Sequence, residues 1–253
     1  MKVRVWIGCS FLFTLVFDSF AQSSAILDPQ VTVGYAYQLP SGDLANRFGN
    51  NSALTLGFHT KFKSNWYAGV HGNFLFGNKV IQEEGFLQNL KVDGNYVLDN
   101  DGQIATLVIQ ERGWCAFADG GRFFPWGNKG TFSGLLVTGG LGFLQHKIRI
   151  EHQETYIKQL EGEYLKGYDR MTNGPCIRQS VEYVFQSKSG LINFSFGIEG
   201  MQGFTRGRRA MNFDTGVIDH QKRLDQLYGI RICWMLHLYR RMSPGFEDIY
   251  GPQ

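Results

Sequence analysis

The sequence predicts an all-β protein, an eight-stranded antiparallel transmembrane β-barrel. Three observations predict it. Eight segments alternate large apolar residues with small or polar ones, the connections between them are alternately short and long, and aromatic residues gather near the segment ends. A period of two indicates strands, because successive side chains of a strand point to opposite faces. Short turns at one end and long polar loops at the other are typical of membrane-spanning barrels.

The eight predicted strands are spread over most of the chain. They cover residues 31–37, 53–62, 66–76, 114–124, 131–150, 176–186, 191–200 and 228–239. The fourth alternates imperfectly, and the fifth changes phase between "LLVTGGLGFL" and "QHKIRI", which predicts a bulge. The alternating cores are about 7 to 12 residues long, close to the roughly 9 to 11 that a tilted strand needs to cross a bilayer.

The lengths of the connections predict that one end of the barrel has short turns and the other has long loops. "KSN", "PWGNKG" and "SKSG" are short and rich in turn-forming residues. Residues 38–52, 77–113, 151–175 and 201–227 form long connections. Within the second, "NYVLDNDGQIATLVIQE" predicts paired strands that turn at "LDNDGQ". We expect the short turns and both termini in the periplasm, and the long loops outside the cell.

The alternation leaves open which strand face is inside. A soluble lipocalin-like barrel or a sandwich would bury the apolar stripes. However, an eight-stranded interior is only just wide enough for side chains, so Gly34, Ala36 and Gly57 suit the inside, whereas Ile232 and Trp234 suit lipid. Tryptophan and tyrosine side chains near strand ends are typical of a membrane–water interface. Here they are Trp66, Trp114, Trp126, Tyr228 and Tyr239. The sequence therefore predicts that the apolar stripes face lipid.

The two ends of the chain predict export and a short tail. Residues 1–21 have the pattern of a cleaved signal peptide: Lys2 and Arg4, an apolar run at 5–17, and small residues before Gln22. Residues 22–239 form the predicted barrel, and 240–253 a periplasmic C-terminal tail without periodicity. We therefore expect a protein exported through the inner membrane to the outer membrane.

Charge and cysteine content exclude several classes of function. The formal net charge of +3 gives no indication of a nucleic-acid surface. Beyond the signal peptide, Cys115, Cys176 and Cys233 have neither the spacing of a zinc site nor an even number for a disulfide framework. The sequence predicts no metal site and no cofactor.

Charged side chains fall on the predicted inner face of the barrel. Because an unpaired buried charge costs several kcal/mol, such side chains must pair with one another. Glu182, Glu199 and Arg231 come from three neighbouring strands, which predicts a carboxylate–arginine network that fills the barrel or, alternatively, conducts protons or ions. The full predicted set is His59, Lys61, Arg178, Glu182, Glu199 and Arg231, with His237 nearer the end.

The long loops offer binding candidates. Arg206, Arg208 and Arg209 follow the seventh strand, where guanidinium groups suit the phosphates of lipopolysaccharide or an acidic partner. An enzyme would instead need a nucleophile, a base and an orienting group in reach of one another. The candidates for these roles are His146, His152, Ser133, Ser180 and Asp169. Their spacing matches no catalytic motif, so we predict that the protein is not an enzyme.

The strand order and the connections, with a mature length of roughly 230 residues, resemble the small OmpA/OmpX-like outer-membrane barrels. "LGFLQHKIRIE", "KGYDRMTNGP" and "RRAMNFDTG" resemble segments of outer-membrane proteins of the Bacteroidota. The resemblance implies outer-membrane lipid and lipopolysaccharide as surroundings. It also implies an accessory or structural subunit of an envelope or secretion complex, the type IX system included. A narrow channel and a lipid A-modifying enzyme are the alternatives.

Overall fold

Eight long strands close into one antiparallel barrel in the computed structural model, which describes residues 28–62, 64–81, 86–93, 96–126, 133–153, 157–186 and 193–238. The strands are β1 (Asp28–Gly42), β2 (Asn51–Lys61), β3 (Trp66–Gly77), β4 (Thr106–Pro125), β5 (Gly134–Gln153), β6 (Thr172–Gln186), β7 (Asn193–Gly207) and β8 (Lys222–His237). Each strand pairs with its neighbours along the chain, and β1 closes the ring against β8. The predicted fold class is confirmed. The predicted signal peptide, 1–21, and the tail, 240–253, lie outside the described residues.

The outer surface of the barrel is apolar. Leu56 on β2, Leu141 on β5 and Ile198 on β7 are 64%, 71% and 63% exposed, while Arg178 and Glu199 are buried inside. A soluble barrel would bury such aliphatic residues and expose such charges. This barrel is therefore built to span lipid, and the predicted orientation of the apolar stripes is confirmed.

The apolar band ends before the strands do. Toward the long connections the outward face of each strand reaches a polar residue, and these residues are Ser41, Ser52, Asn78, Arg112, Gln145, Asn173, Gln202 and Gln226. The strand parts beyond them, and the connections that join those parts, lie outside the lipid. The membrane-spanning segments are 31–39, 54–62, 66–76, 114–124, 135–143, 175–185, 194–200 and 228–236.

The predicted bulge in the fifth strand is wrong. β4 and β5 pair without interruption from Pro125 and Gly134 to Thr106 and Gln153. The pattern changes phase because β5 leaves the lipid: beyond Phe143 the outward residues become polar, and the inward residues become apolar. The inward apolar residues there are Leu144, Ile148 and Ile150, all buried.

Outside the lipid the long connections fold into a cap. We define the cap as the described parts of residues 43–50, 78–105, 154–171 and 208–221. It contains 3-10 turns at Leu44–Asn46, Gln88–Leu90 and Lys158–Leu160, a one-turn helix α1 at Gly162–Leu165, and a hairpin of Lys91–Val92 with Tyr96–Val97. Among the described residues, no helix is long and apolar enough to cross a membrane.

The predicted turn within the second long connection is also confirmed. The Asp99 carboxylate accepts hydrogen bonds from the backbone N–H groups of Asp101, at 2.9 Å, and Gln103, at 2.7 Å. Gly102 has a φ of 79°, a left-handed conformation that glycine adopts without a steric penalty. Leu98 and Ile104 form a β-bridge on either side of this turn. Strand β4 begins at Thr106, so the turn leads directly into the barrel wall.

Candidate functional site

Two arginines and three carboxylates meet at the centre of the barrel. Nη2 of Arg178 lies 3.0 Å from Glu199 and 3.5 Å from Glu182, and its Nη1 lies 3.7 Å from Asp119. Nη1 of Arg231 lies 3.5 Å from Glu199. All five side chains are buried. We call these five residues the central network; the structure brings together Arg178, Glu182, Glu199 and Arg231 as the sequence predicts.

Neutral polar groups hold the carboxylates in place. The amide of Gln38 donates to Glu199 over 2.9 Å, and the hydroxyls of Ser180 and Ser195 donate to the two oxygens of Glu182 over 3.0 Å and 2.7 Å. Nε of Arg231 donates to Sγ of Cys233 over 2.9 Å. Hydrogen bonds of this kind stabilise a buried charged group that would otherwise be costly.

Two histidines extend the network on the side of β2 and β3. Nδ1 of His71 is hydrogen-bonded to Oδ2 of Asp119, and Nε2 of His59 lies 3.7 Å from the same oxygen. The Thr32 hydroxyl lies 3.3 Å from Nδ1 of His59. A cavity of about 20 Å³ adjoins His59, Asp119 and Glu182, enough for about one water-sized particle.

The sequence prediction missed His71 and Asp119. Both lie inward by the period of two, and counting from Cys115 would have placed Asp119 on the inner face. Phe117 and Phe123 obscured the pattern because they also point inward and are buried. The alternation of β4 is therefore imperfect in the sequence, and this hides the one inward carboxylate that the strand has in the membrane span.

Two residues of the predicted inner face lie nearer the short-turn end. Nζ of Lys61 lies 3.9 Å from the centre of the Phe123 ring, and Nδ1 of His237 lies 2.7 Å from Oδ1 of Asp28. An apolar layer separates them from the central network. Its buried members are Tyr67, Phe123, Leu136, Val184 and Met235.

The three loop arginines have different surroundings. Arg209 makes two hydrogen bonds to the buried carboxylate of Asp169, one of them 2.6 Å long, so it ties the cap together. Nε of Arg208 donates to the side chain of Asn173 at the top of β6. Arg206 is exposed near the end of β7, opposite Lys222. Arg206 and Arg208 are both exposed to an anionic ligand, whereas Arg209 is engaged by Asp169.

A second buried cluster lies beyond the membrane-spanning segments. Nε2 of His146 is hydrogen-bonded to Oδ2 of Asp225 over 2.8 Å, and the Thr172 hydroxyl lies 3.2 Å from its Nδ1. Burial lowers the pKa of His146. Burial raises the pKa of Asp225, but the hydrogen bonds from His146 and Thr205 and the nearby charge of Arg47 together outweigh it and hold the pKa below its usual value. The pair is therefore a neutral imidazole that donates to a carboxylate.

The residues considered for catalysis lie in separate places. Ser180 belongs to the surroundings of Glu182, and the Ser133 hydroxyl accepts from the backbone N–H of Gln186. His152 contacts Glu161 at 2.9 Å. Within the described ranges, neither serine is hydrogen-bonded to a histidine. His146 instead contacts Asp225 and Thr172, and neither residue is among the candidates for catalysis.

Glu111 is a buried acid close to the second cluster, just beyond Arg112. Burial raises the pKa of Glu111 to about 7, although the Asn51 amide donates to its carboxyl over 3.0 Å. In the unfolded chain the same group ionises near 4.5. The protonated carboxyl thus stabilises the folded state below pH 4.5, and this contribution is lost as the pH rises through about 7.

We expect Glu111→Gln to stabilise the barrel at pH 8 and to change little at pH 5. The amide keeps the shape and an acceptor for Asn51 but cannot ionise, so the gain at pH 8 is roughly 3 kcal/mol. Urea unfolding in lipid vesicles at both pH values measures it. Glu151→Gln, at a carboxylate that is 43% exposed and paired with Arg149, serves as the control and should show no such difference. An equal effect of Glu111→Gln at both pH values would contradict the assignment.

Fold and site together define a membrane-spanning β-barrel with a buried network of charged side chains and a folded cap. No family model matches the chain, and no curated protein matches it. The chain is similar to the crystal structure of Neisserial surface protein A, with 6% identity and a TM-score of 0.43, over 85% of this chain and 100% of that one. It is also similar to Ail of Yersinia pestis, the attachment invasion locus protein, with 10% identity and a TM-score of 0.35, over 83% of this chain and 98% of that one. The barrel assignment rests on the strand pairing of this chain itself.

Proposed function

We propose that the protein is a non-enzymatic outer-membrane barrel whose cap binds a partner in a larger envelope complex, with the barrel as a closed anchor. The proposed partner is a subunit of a secretion or assembly machine, such as the type IX system. The observation that carries this proposal is the cap, since all four connections contribute to one buried apolar core that continues into the barrel interior. Loops that only join strands need no such core, and long folded connections are often functional.

The core of the cap draws on every long connection. Leu44 and Phe48 come from the first, Phe86 and Leu87 from the second, and Leu160 from the third, and all five are at most 2% exposed. Phe213 of the fourth connection packs against the same cluster. Burying several such side chains stabilises the cap by about 1.5–3 kcal/mol each. The cap therefore presents a defined surface.

Ion pairs join the third and fourth connections within the cap. Asp169 is buried and binds Arg209, and Arg170 binds Asp214 at 3.1 Å. Asp214 also accepts a hydrogen bond from the backbone N–H of Leu87, over 2.9 Å, which links the second connection. Partly buried pairs of this kind fix the relative positions of loops. A fixed arrangement reduces the entropy that a partner must remove on binding.

The outer surface of the cap carries exposed apolar side chains. Ile104 and Tyr96 of the second connection are exposed, as are Met211, Val217 and Ile218 of the fourth. These positions lie beyond the polar ends of the strands, so lipid does not cover them. Apolar side chains that are exposed to water outside the lipid supply anchor points for a protein partner. They support a protein partner for the cap.

The filled interior disfavours the channel alternative. The apolar layer at Tyr67, Phe123 and Met235 and the central network lie one above the other within the barrel. The cavity of about 20 Å³ beside the network has room for about one water molecule, whereas a conducting pore needs a continuous aqueous path. In planar bilayers we expect the purified barrel to give no steady conductance. A regular unitary current would favour the channel instead.

A pull-down from mild detergent tests the proposed function. A tagged copy at native expression should carry a stoichiometric set of envelope proteins. Val217→Asp in the cap should reduce their recovery at least about tenfold, as expected for the loss of an anchoring side chain. Glu163→Gln, at a cap side chain that is 85% exposed, is the matched control and should retain them. A protein that emerges alone would contradict the proposal, and a changed lipid A profile in a deletion strain would then favour the enzyme.

A further inference from the structure

The central network is one positive charge short. Asp119, Glu182 and Glu199 carry three negative charges, and Arg178 and Arg231 supply two positive ones. All of them are buried within the membrane span. An uncompensated charge in this surrounding costs several kcal/mol, so a cation should complete the set. The two histidines beside Asp119 show where that cation belongs.

We propose that His59, His71 and Asp119 form a binding site for a divalent metal ion of the Zn²⁺ type inside the barrel. One ligand atom from each residue lies within 4.8 Å of the others. The 3.7 Å between Nε2 of His59 and Oδ2 of Asp119 is too long for a hydrogen bond. It is close to the roughly 3.4 Å that separates two ligands of one tetrahedral zinc ion at ordinary bond lengths.

The surroundings of the three residues match those of a built site. The Thr32 hydroxyl at Nδ1 of His59 leaves Nε2 to face the carboxylate, as the outer hydrogen bonds of metal-ligating histidines do. The Asp119 side chain is buried, and among the described residues its Oδ1 has no hydrogen-bond partner. A buried carboxylate oxygen without a partner is costly unless a ligand binds it. The adjoining cavity has room for a water as a fourth ligand.

The chemistry of the ligands selects the ion. Two imidazoles and one carboxylate suit Zn²⁺ and its first-row neighbours, whereas Ca²⁺ and Mg²⁺ prefer oxygen ligands alone. The ion would join the consecutive strands β2, β3 and β4 and change the net charge of these five residues and the ion from −1 to +1. This inference is independent of the proposed function of the cap. It assigns the ion a structural role, because the apolar layer closes the short-turn side of the site.

Metal analysis of the full-length protein tests the site. The chain is expressed in a Gram-negative host, purified in detergent with a tag that contains no histidine, and dialysed against zinc. We expect one zinc ion per folded chain. His71→Gln and Asp119→Asn should lose it, while His146→Gln and Cys176→Ala, at buried positions outside the site, should keep it. Thr32→Val should weaken zinc binding about 10- to 100-fold.

Cobalt gives a second measurement that needs no variant to fold. Co²⁺ bound by the wild type should give the visible absorption of a nitrogen- and oxygen-ligated tetrahedral site, without the charge-transfer band of a thiolate. A folded wild type that binds neither zinc nor cobalt would overturn the site and assign the missing positive charge to a proton on a histidine. Equal loss of zinc in His146→Gln, or a thiolate band with cobalt, would overturn it as well.

Discussion

Arg178→Met is expected to destabilise the barrel by about 3–5 kcal/mol, the cost of removing one partner from a buried ion network. Methionine fills similar space, so the loss comes from charge: Glu182, Glu199 and Asp119 would keep only Arg231 as a positive partner in the central network. Urea unfolding in lipid vesicles, followed by tryptophan fluorescence, measures the free energy of unfolding.

Two further variants separate charge from packing. Arg178→Met combined with Glu199→Gln removes one charge of each sign and should recover at least about 1 kcal/mol relative to the single variant. Gln179→Met changes the neighbouring residue on the outer face of β6 and should be close to neutral. If Arg178→Met were as harmless as Gln179→Met, the central network would not be a requirement for the fold.

Ile198→Arg is expected to cost about 2–4 kcal/mol, as for an arginine on the lipid face near the middle of a bilayer. Ile198 lies in the apolar band of β7, opposite Ile230 on β8 and Val181 on β6, and is 63% exposed. The same change on the surface of a soluble sheet would cost little. Unfolding in vesicles and the yield of folded, heat-modifiable protein both measure it.

The control for Ile198→Arg uses the same substitution outside the lipid. Ile218→Arg lies in the cap, where the isoleucine is 50% exposed, and should change stability by less than about 0.5 kcal/mol. Equal effects at the two positions would mean that β7 does not face lipid. A large effect only at Ile218 would show that the cap surface, rather than the barrel wall, is covered by another part of the molecule.

Strand positions and most of the charge network follow from sequence because a barrel strand has a strict period. Glu182, Glu199 and Arg231 lie on inward positions of neighbouring strands, so their pairing is predictable from alternation alone. Asp119 was not predicted because the inward Phe117 and Phe123 hide the alternation of β4. Large aromatic residues fit inside this barrel where glycines face them: a Cβ on Gly142 would lie 2.5 Å from the Phe117 ring.

The cap and the second cluster depend on contacts that no local pattern encodes. His146 and Asp225 are 79 residues apart and meet because β5 and β8 extend beyond the lipid and turn their inner faces toward each other. The change of phase in the apolar alternation of β5 results from this extension, although a bulge also produces such a change. Only the continuous pairing with β4 distinguishes the two.

Cysteine labelling of intact cells tests the central claim, a barrel that spans the outer membrane with the cap outside. Glu163→Cys places a thiol on the cap, and Ser64→Cys places one on the short turn before β3; both positions are exposed. The described native cysteines are buried. We expect a membrane-impermeant maleimide to label Glu163→Cys on intact cells and Ser64→Cys only after the outer membrane is opened. Labelling of Ser64→Cys alone on intact cells, or of both equally, would contradict the account.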